Sequence, residues 1–411
     1  MTELNPTFVN DLWQQAPGVF NYLKDLRTSW PLISHLQNSD ATIEALLPHA
    51  KAFQIFSDVI ILGTGGSSLG GQALTSLARS SAIPPKLHFI DNIDSATFHA
   101  LLQNLTPHKT GVLTISKSGN TAETLMQTLT LIQTWKTFNP STQMRIITEN
   151  KQNAMRELAN AYDIVCLDHP DDVGGRFSVF TSVGLLPALI ADIDVKAFCE
   201  GGLEAFQIIE EATPETCTPL SGALMQVAYK NHGLSNTVLF AYTNGLSKFC
   251  EWFAQLWAES LGKRDASGNT HGTTPIKAIG AIDQHSQLQL YLDGPRDKFF
   301  TFLTLEKQES LNNIILPDAL KHPSIISLNN HSMGDLMLAE QKATIDTMRR
   351  HGCPLRQVEI QQLNAENLGA LMMHFMLETL AAAKFWNVNP FDQPAVEEGK
   401  VLAIEYLQKI V

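Results

Sequence analysis

The stretch "TISKSGNTAET", residues 114–124, has the composition of a phosphate-binding loop. It joins an apolar run to a helix-like segment, and the backbone N–H groups at a helix start bind anions. Hydroxyl donors, a glycine that permits close backbone approach and one cation complete the loop. These residues are Ser116, Ser118 and Thr121, Gly119, and Lys117. The loop therefore predicts a phosphate site, with a serine-rich turn that caps a helix as the alternative.

A second loop, in "DVIILGTGGSSLGGQAL", also follows an apolar run and precedes a helix-like segment. The dinucleotide pattern GxGxxG, started at Gly63, would need glycine where Ser68 stands. A Walker loop started at Gly65 reaches Gly70 but lacks the Lys-Ser or Lys-Thr that must follow. Both nucleotide patterns fail, so the loop is either a tight turn or a second part of the phosphate site.

A carboxylate suited to proton transfer lies in "QLWAESLGK". Gln255, Glu259 and Lys263 are four residues apart and share one helical face. The helix around them is strongly apolar, so we expect Glu259 to be partly shielded from water and able to act as a base. The alternative is a solvated face with a Glu–Lys pair.

Three more segments contain residues that could do chemistry. Arg176 follows two glycines in "VGGRFSVF", and His285 lies in "IDQHSQLQLYL". Gln393 and Lys400 flank the start of a helix in "NPFDQPAVEEGK". Each also has a plain structural explanation, since a single histidine is most often structural and a helical lysine most often faces water.

Composition excludes several classes of protein. The 411 residues are 44% apolar and 17% charged, with a net charge of −12, which disfavours binding to nucleic acid or to anionic membranes. Five scattered cysteines form no CxxC pair, so we expect neither a disulfide framework nor a zinc site. The apolar stretch 177–193 is short and contains a proline, which favours a buried helix over a membrane span. We expect a cytoplasmic protein that needs no metal.

Strand-like runs alternate with helix-like stretches, a pattern typical of parallel sheets with helices on both faces. We predict an α/β fold with two doubly wound, mainly parallel sheet domains and a C-terminal helix. The predicted units are a helical segment 1–50, sheet domains 51–209 and 210–385, and a C-terminal loop and helix 386–411. Predicted strands are 58–63, 87–91, 111–116, 144–149, 163–167, 237–242, 287–292, 299–305 and 356–361, and the main helices of the second half are 245–261, 365–384 and 394–411.

Taken in order, six motifs resemble those of the glucose-6-phosphate isomerase (phosphoglucose isomerase) family, in the sugar isomerase (SIS) domain superfamily. The family patterns are GxGGSxLG, SK(S/T)xxTxET, GGR(F/Y)S, QxxxESxGK, QHSxxQ and FDQxxVExGK. This chain has "GTGGSSLG", "SKSGNTAET", "GGRFS", "QLWAESLGK", "QHSQLQ" and "FDQPAVEEGK". They span residues 63 to 400, nearly the whole chain.

The resemblance implies a role for each matching residue. Glu259 would move a proton between C1 and C2 of a hexose 6-phosphate, and Arg176 would stabilise the enediolate. His285 and Lys400 would assist ring opening, with the histidine contributed by the other subunit of a homodimer. No cofactor is implied. The implied phosphate and substrate contacts are Gly66, Ser67, Ser116, Lys117, Ser118, Thr121, Gln255 and Gln393.

Two residues depart from the family pattern, and three other functions stay open. Asn120 and Leu261 stand where many relatives have threonine and asparagine, which leaves fine substrate preference undecided. The alternatives are another isomerase of the superfamily, such as a dual glucose/mannose or an aminosugar phosphate isomerase, and a sugar-phosphate-binding regulator without catalysis. A nicotinamide dehydrogenase is disfavoured by the failed glycine pattern.

Overall fold

Two parallel sheets organise the chain in the computed structural model, which describes residues 6–78, 85–308 and 311–410. The first sheet has the strand order β2-β1-β3-β4-β5, and the second β7-β6-β8-β9, with parallel pairing throughout. The strands are β1 (Asp58–Leu62), β2 (Lys86–Ile90), β3 (Thr110–Ile115), β4 (Met144–Glu149), β5 (Val165–His169), β6 (Asn236–Ala241), β7 (Thr274–Ile279), β8 (Lys298–Leu305) and β9 (Leu355–Ile360).

Helices cover both faces of each sheet, which confirms the predicted α/β class. Short 3-10 helices lie at Gly65–Ser67, Pro107–Lys109, Gly175–Phe180, Asn244–Leu246 and Pro394–Val396. The α-helices of the described ranges are α1 (Pro6–Ser29), α2 (Pro31–Gln37), α3 (Ser39–Phe53), α4 (Leu69–Thr75), α5 (Ser95–Asn104), α6 (Ala122–Thr134), α7 (Pro140–Gln143), α8 (Ala154–Ala161), α9 (Ser182–Ile190), α10 (Val195–Glu211), α11 (Thr218–Asn231), α12 (Ser247–Leu261), α13 (Ile282–Ser286), α14 (Leu288–Asp293), α15 (Pro323–Ile326), α16 (Met333–Arg350), α17 (Ala365–Phe385) and α18 (Glu397–Leu407).

The central strands are apolar without alternation because both of their faces are buried. In β1, Val59 and Ile61 belong to the large core between the sheets, whereas Ile60 and Leu62 belong to the outer core of the first sheet. In β6, Leu239 joins the same central core and its neighbours face a third core. Successive side chains of a strand point to opposite faces, so one apolar run supplies two cores.

One predicted strand is wrong and one strand was missed. Residues 287–292 form most of the short helix α14, in which Leu288, Tyr291 and Leu292 have helical spacing and Tyr291 is buried in the third core. Strand β7, Thr274–Ile279, occupies the edge of the second sheet beside β6 instead. Its sequence contains Pro275 and Lys277, which break the apolar pattern and which edge strands tolerate.

The two sheet units interlock through helices, so the predicted domain boundaries stay a prediction. Helix α10, from the first predicted domain, packs along α17 of the second. Helix α12, which follows β6 of the second sheet, packs against α4 of the first. The stretch 177–193 is buried as expected, as the end of a 3-10 helix followed by α9.

One helix of the described residues, α17, is long and apolar enough to span a membrane. Fourteen of its residues are buried in the protein, and it packs against α1, α10, α11 and α12. A core helix passes the same test of length and composition, and the packing identifies α17 as one.

Candidate active site

The glycine-rich loop and the hydroxyl-rich loop lie side by side at the carboxyl edge of the first sheet. Strands β1 and β3 pair directly, with Leu62 opposite Thr114, so the loops that follow them are neighbours. Ligands of open α/β sheets bind at this edge. The 3-10 helix Gly65–Ser67 forms the first loop, and residues 116–121 form the second.

The first loop also touches the residues that the sequence assigned to catalysis. Its 3-10 helix packs against α12 and against the 3-10 helix Gly175–Phe180, and the Ser178 hydroxyl donates to the Gly66 carbonyl at 3.4 Å. A Cβ on Gly66 would lie 2.4 Å from the Gly175 carbonyl carbon, so only glycine allows this approach. Gly66 therefore brings the glycine-rich loop against the loop that contains Arg176.

In the second loop, hydroxyl groups organise one another and leave helix donors uncovered. The Ser116 hydroxyl donates to Thr121 Oγ1 at 3.0 Å, and the Asn120 N–H donates to Ser118 Oγ at 3.2 Å. The Thr121 side chain precedes α6 but makes no capping hydrogen bond to it. The first N–H groups of α6 therefore need another acceptor, and a phosphate oxygen would serve.

Lys117 lies in this loop, but its ammonium is engaged elsewhere. Nζ donates to the carbonyls of Asp171 and Val173 at 3.0 and 2.9 Å, and it lies 3.6 Å from a Glu149 oxygen. Those carbonyls belong to the segment that leads into Gly174–Arg176. Lys117 thus ties the loop 116–121 to the loop that contains Arg176, and its implied contact with a phosphate stays a prediction.

The side chains of the two departures from the family pattern have contacts outside the hydroxyl cluster, although the Asn120 N–H donates to Ser118 within it. Asn120 Oδ1 accepts from the Ala154 N–H at 3.1 Å, at the start of α8. Leu261 is fully buried in the central core. Neither side chain takes the place of a phosphate donor.

Replacing Gly119 with alanine should weaken binding of a phosphorylated ligand. Its φ is +67°, a conformation that costs an L residue about 1–2 kcal/mol. A Cβ there would also lie 2.1 Å from Asn153 Oδ1. Because the loop must shift, we expect KM for a sugar phosphate to rise severalfold in Gly119→Ala, measured by steady-state kinetics.

Gly233→Ala is the matched control for that variant. Gly233 has a φ of +96°, and a Cβ added to it would meet none of the described atoms within 4 Å. The control should lose stability by a similar strain and keep the wild-type KM. An equal KM in both variants and wild type would contradict the assignment of the 116–121 loop to the phosphate.

Glu259 has one hydrogen-bond partner and one ion-pair partner, on different carboxylate oxygens. Gln255 Nε2, one turn earlier on α12, donates to Oε1 at 3.1 Å, and Arg176 Nε lies 3.3 Å from Oε2. The Glu259 side chain is 36% exposed, whereas that of Arg176 is only 5% exposed. The carboxylate is thus fixed in orientation yet still reachable from solvent, as a base acting on a bound molecule must be.

Arg176 makes four hydrogen bonds through its two terminal nitrogens and an ion pair through Nε. Nη1 donates to Ser260 Oγ and to the Pro390 carbonyl, both at 2.8 Å. Nη2 donates to the Asp392 carbonyl at 3.0 Å and to Gln393 Oε1 at 2.8 Å, and Nε faces Glu259. Burial lowers the pKa of Arg176, while Glu259 and Asp392 oppose that shift. The guanidinium therefore stays a fixed positive charge beside the carboxylate.

Lys263, which the sequence predicts on the same helical face as Glu259, connects the turn 389–392 to this cluster. Lys263 Nζ donates to the carbonyls of Asn389 and Asp392 and to the Asp392 carboxylate, at 2.5, 2.5 and 2.6 Å. The hydrogen bond from Lys263 holds the pKa of Asp392 below its usual value. Sequence reasoning missed the partners of Lys263, although Asp392 is part of the quoted "FDQ" motif.

Two of the predicted residues lie outside the cluster in a single chain. His285 is exposed on the short helix α13, in the loop region after β7. Lys400 is exposed on α18, where its ammonium pairs with Glu397 at 2.7 Å. The cluster formed within one chain contains Gln255, Glu259, Arg176, Gln393 and the two loops.

The described residues include no group of three or more acidic, histidine or cysteine side chains placed to bind a metal.

A cavity of about 870 Å³ adjoins Glu259 and Gln393. Its walls come from the end of α12, from Gly262–Arg264, from Thr270 and His271, and from Asn389 and residues 392–396. Neither the two loops nor Arg176 lines this cavity.

Comparison with known proteins now decides the family. The model of the family described as phosphoglucose isomerase matches residues 35–410. A relative named glucose-6-phosphate isomerase, from Rubrobacter xylanophilus, is 35% identical over 356 residues, which cover 84% of this chain and 81% of the relative. The chain belongs to the phosphoglucose isomerase family.

Solved structures agree with the fold. A hypothetical protein from Thermus thermophilus superposes with a TM-score of 0.88 at 30% identity, over 99% of this chain and 98% of the other. A glucose-6-phosphate isomerase from Chlamydia trachomatis has a TM-score of 0.77 at 21% identity, over 92% and 75% of the two chains. The phosphoglucose isomerase match spans the segments that contain both loops, Arg176, Glu259 and the turn 389–392.

Proposed function

We propose that this chain interconverts D-glucose 6-phosphate and D-fructose 6-phosphate through a cis-enediolate, as an aldose–ketose isomerase. The observation that carries the proposal is the Glu259 carboxylate, held between Gln255 and the buried charge of Arg176 beside two anion-binding loops. Membership of the phosphoglucose isomerase family supports the same substrates.

In this mechanism the phosphate fixes the distance of the reacting carbons from the base. Ser116, Ser118, Thr121 and the start of α6 would hold the phosphate, with Gly66 and Ser67 on its other side. Binding energy from the phosphate end positions C1 and C2 at Glu259. Gln255 Oε1 is buried and accepts no hydrogen bond from the described residues, so it suits a sugar hydroxyl.

Glu259 would carry the proton. It takes the proton from C2 of the open-chain aldose, the C–H electrons form the C1=C2 double bond, and the carbonyl oxygen becomes an enediolate oxygen. The C2 hydroxyl gives up its proton and the C1 oxygen gains one, directly or through solvent. As the C2 oxygen becomes the ketone, the C=C electrons take the proton back from Glu259 at C1, which leaves the ketose and the free carboxylate. While Glu259 is protonated it no longer balances the charge of Arg176, which is free to stabilise the enediolate.

Ring opening would need His285 and Lys400, and we infer that a second copy of the chain completes the site. Every residue from 391 to 410 is exposed in a single chain. The apolar side chains of α18 that would then need a cover are Val401, Leu402, Ile404, Tyr406 and Leu407. A homodimer would bury this helix and bring His285 of one copy toward Glu259 of the other.

A mixture of two inactive variants tests this arrangement. In a dimer of Glu259→Gln with His285→Gln, one of the two sites would contain both native residues. Random C2 pairing should therefore restore about a quarter of wild-type turnover after co-expression. Glu259→Gln mixed with Arg176→Met should restore none, because those two residues belong to the same chain's site.

One outcome of the mixing experiment would contradict a site shared between two chains. If the first mixture recovers no more activity than the second, while both pairs form dimers on a sizing column, His285 does not act across an interface.

The assay that tests the function itself compares substrates. Wild-type protein should turn over fructose 6-phosphate rapidly, coupled to oxidation of the glucose 6-phosphate formed. Comparable turnover of mannose 6-phosphate would favour a dual-specificity isomerase, and binding without turnover would favour a regulator. We also propose a cytoplasmic location, which the five unpaired cysteines support.

A further inference from the structure

The Lys263 side chain is unusual for a lysine because it is only 10% exposed and all of its donors are used. Its three contacts are the Asn389 carbonyl, the Asp392 carbonyl and the Asp392 carboxylate. Burial lowers the pKa of Lys263, and Asp392 opposes that shift. A buried ammonium with three acceptors fixes whatever those acceptors belong to.

Those acceptors belong to the turn that holds Arg176. The Asp392 carbonyl accepts from both Lys263 and Arg176, and the Pro390 carbonyl accepts from Arg176. The turn is closed by the Asn389 amide, which donates to the second Asp392 oxygen at 2.9 Å. Two cations from different elements therefore converge on one four-residue turn.

Lys263 is also the cation that pairs with the Asp392 carboxylate. Asp392 is an acidic neighbour of Arg176, and its charge is felt by the guanidinium. Glu259 competes for the same cation through Nε. Without Lys263, the Asp392 carboxylate would lose its ammonium partner and would be drawn toward Arg176, away from the geometry that pairs Arg176 with Glu259.

We propose that Lys263 is a positioning residue for the isomerase reaction: it holds the turn 389–392 and its carboxylate so that Arg176 remains directed at Glu259. The inference rests on the proposed function of Glu259 and Arg176. Although Lys263 lines the cavity beside Glu259, all three of its N–H donors are used by Asn389 and Asp392, so it would act through Asp392 and Arg176.

Steady-state kinetics on Lys263→Met test the proposal. We expect kcat to fall by about tenfold to a hundredfold, the size of effect that a small misplacement of catalytic groups produces, with KM for fructose 6-phosphate little changed. Lys248→Met is the control, since Lys248 lies on the same helix but pairs with Glu251 at the surface, 2.8 Å away. The control should keep wild-type kinetics.

The double variant Lys263→Met/Asp392→Asn separates positioning from simple folding. Removing the unpaired carboxylate should raise kcat above that of Lys263→Met alone, a positive coupling in a double-mutant cycle. If Lys263→Met does not fold, Lys263→Gln, whose amide can still donate to a carbonyl, replaces it in both arms.

Three results would decide the matter. Wild-type kcat in folded Lys263→Met, or a double variant no faster than the single one, would overturn the positioning role. A wild type that does not convert fructose 6-phosphate would instead overturn the proposed function, and the two failures are therefore distinguishable.

Discussion

Glu259→Gln should lower kcat by between about a hundredfold and ten-thousandfold, the usual contribution of a general base. Glutamine keeps the size of the side chain and can still contact Gln255 and Arg176, but it cannot accept a proton from carbon. Because the phosphate loops are untouched, KM should change little. A coupled assay with fructose 6-phosphate gives both constants.

Glu251→Gln is the matched control on the same helix. Glu251 lies about two turns before Glu259 on α12, and its carboxylate pairs with Lys248 and Lys277 at 2.8 and 2.7 Å instead of with Arg176. It should keep wild-type kcat, with a small loss of stability at most. Equal activity of the Glu259 and Glu251 variants would remove Glu259 from the mechanism.

Arg176→Met should lower kcat by about a hundredfold to a thousandfold, as the removal of electrostatic stabilisation does in other enzymes. The variant also removes the Arg176 donor from the Pro390 carbonyl and from Ser260 Oγ, and each buried group left unpaired costs about 1–3 kcal/mol. We therefore expect a loss of thermal stability as well as of turnover. Both are measured on the same purified sample.

Arg356→Met separates the two effects. Arg356 is a second buried arginine, 10% exposed, whose Nη2 donates to the fully buried Glu378 at 2.6 Å. That pair lies in the second sheet unit and has no part in the proposed chemistry. Arg356→Met should lose stability, yet the folded fraction should keep wild-type kcat. If Arg176→Met behaved in the same way, Arg176 would be structural only.

The sequence predicts the central strands well because their burial leaves a direct pattern. Residues 58–63 and 299–305, for example, correspond to β1 and β8 within one residue. The pattern fails at the edge of the second sheet, where Thr274–Ile279 needs apolar residues on only part of its surface. It fails again at 287–292, because "QLQLYL" satisfies the strand and the helix period over so short a length.

Some contacts of the candidate site were also predictable from the sequence, and others were not. Glu259, Gln255 and Lys263 share a helical face by spacing alone, so their proximity was predictable. The contacts of Lys117 with the carbonyls of Asp171 and Val173, and of Lys263 with the turn 389–392, join residues more than fifty positions apart. No local pattern encodes such pairings, in which both lysines donate to backbone carbonyls.

Exchange of the transferred proton with solvent tests the central claim most directly. With the enzyme in D₂O, a proton on Glu259, whose side chain is 36% exposed, should exchange before some of the returns to carbon. Proton NMR should then show deuterium entering at C2 of glucose 6-phosphate and at C1 of fructose 6-phosphate in wild type. Glu259→Gln should show no incorporation beyond the uncatalysed rate. Deuterium entering at the wild-type rate in Glu259→Gln would contradict the account.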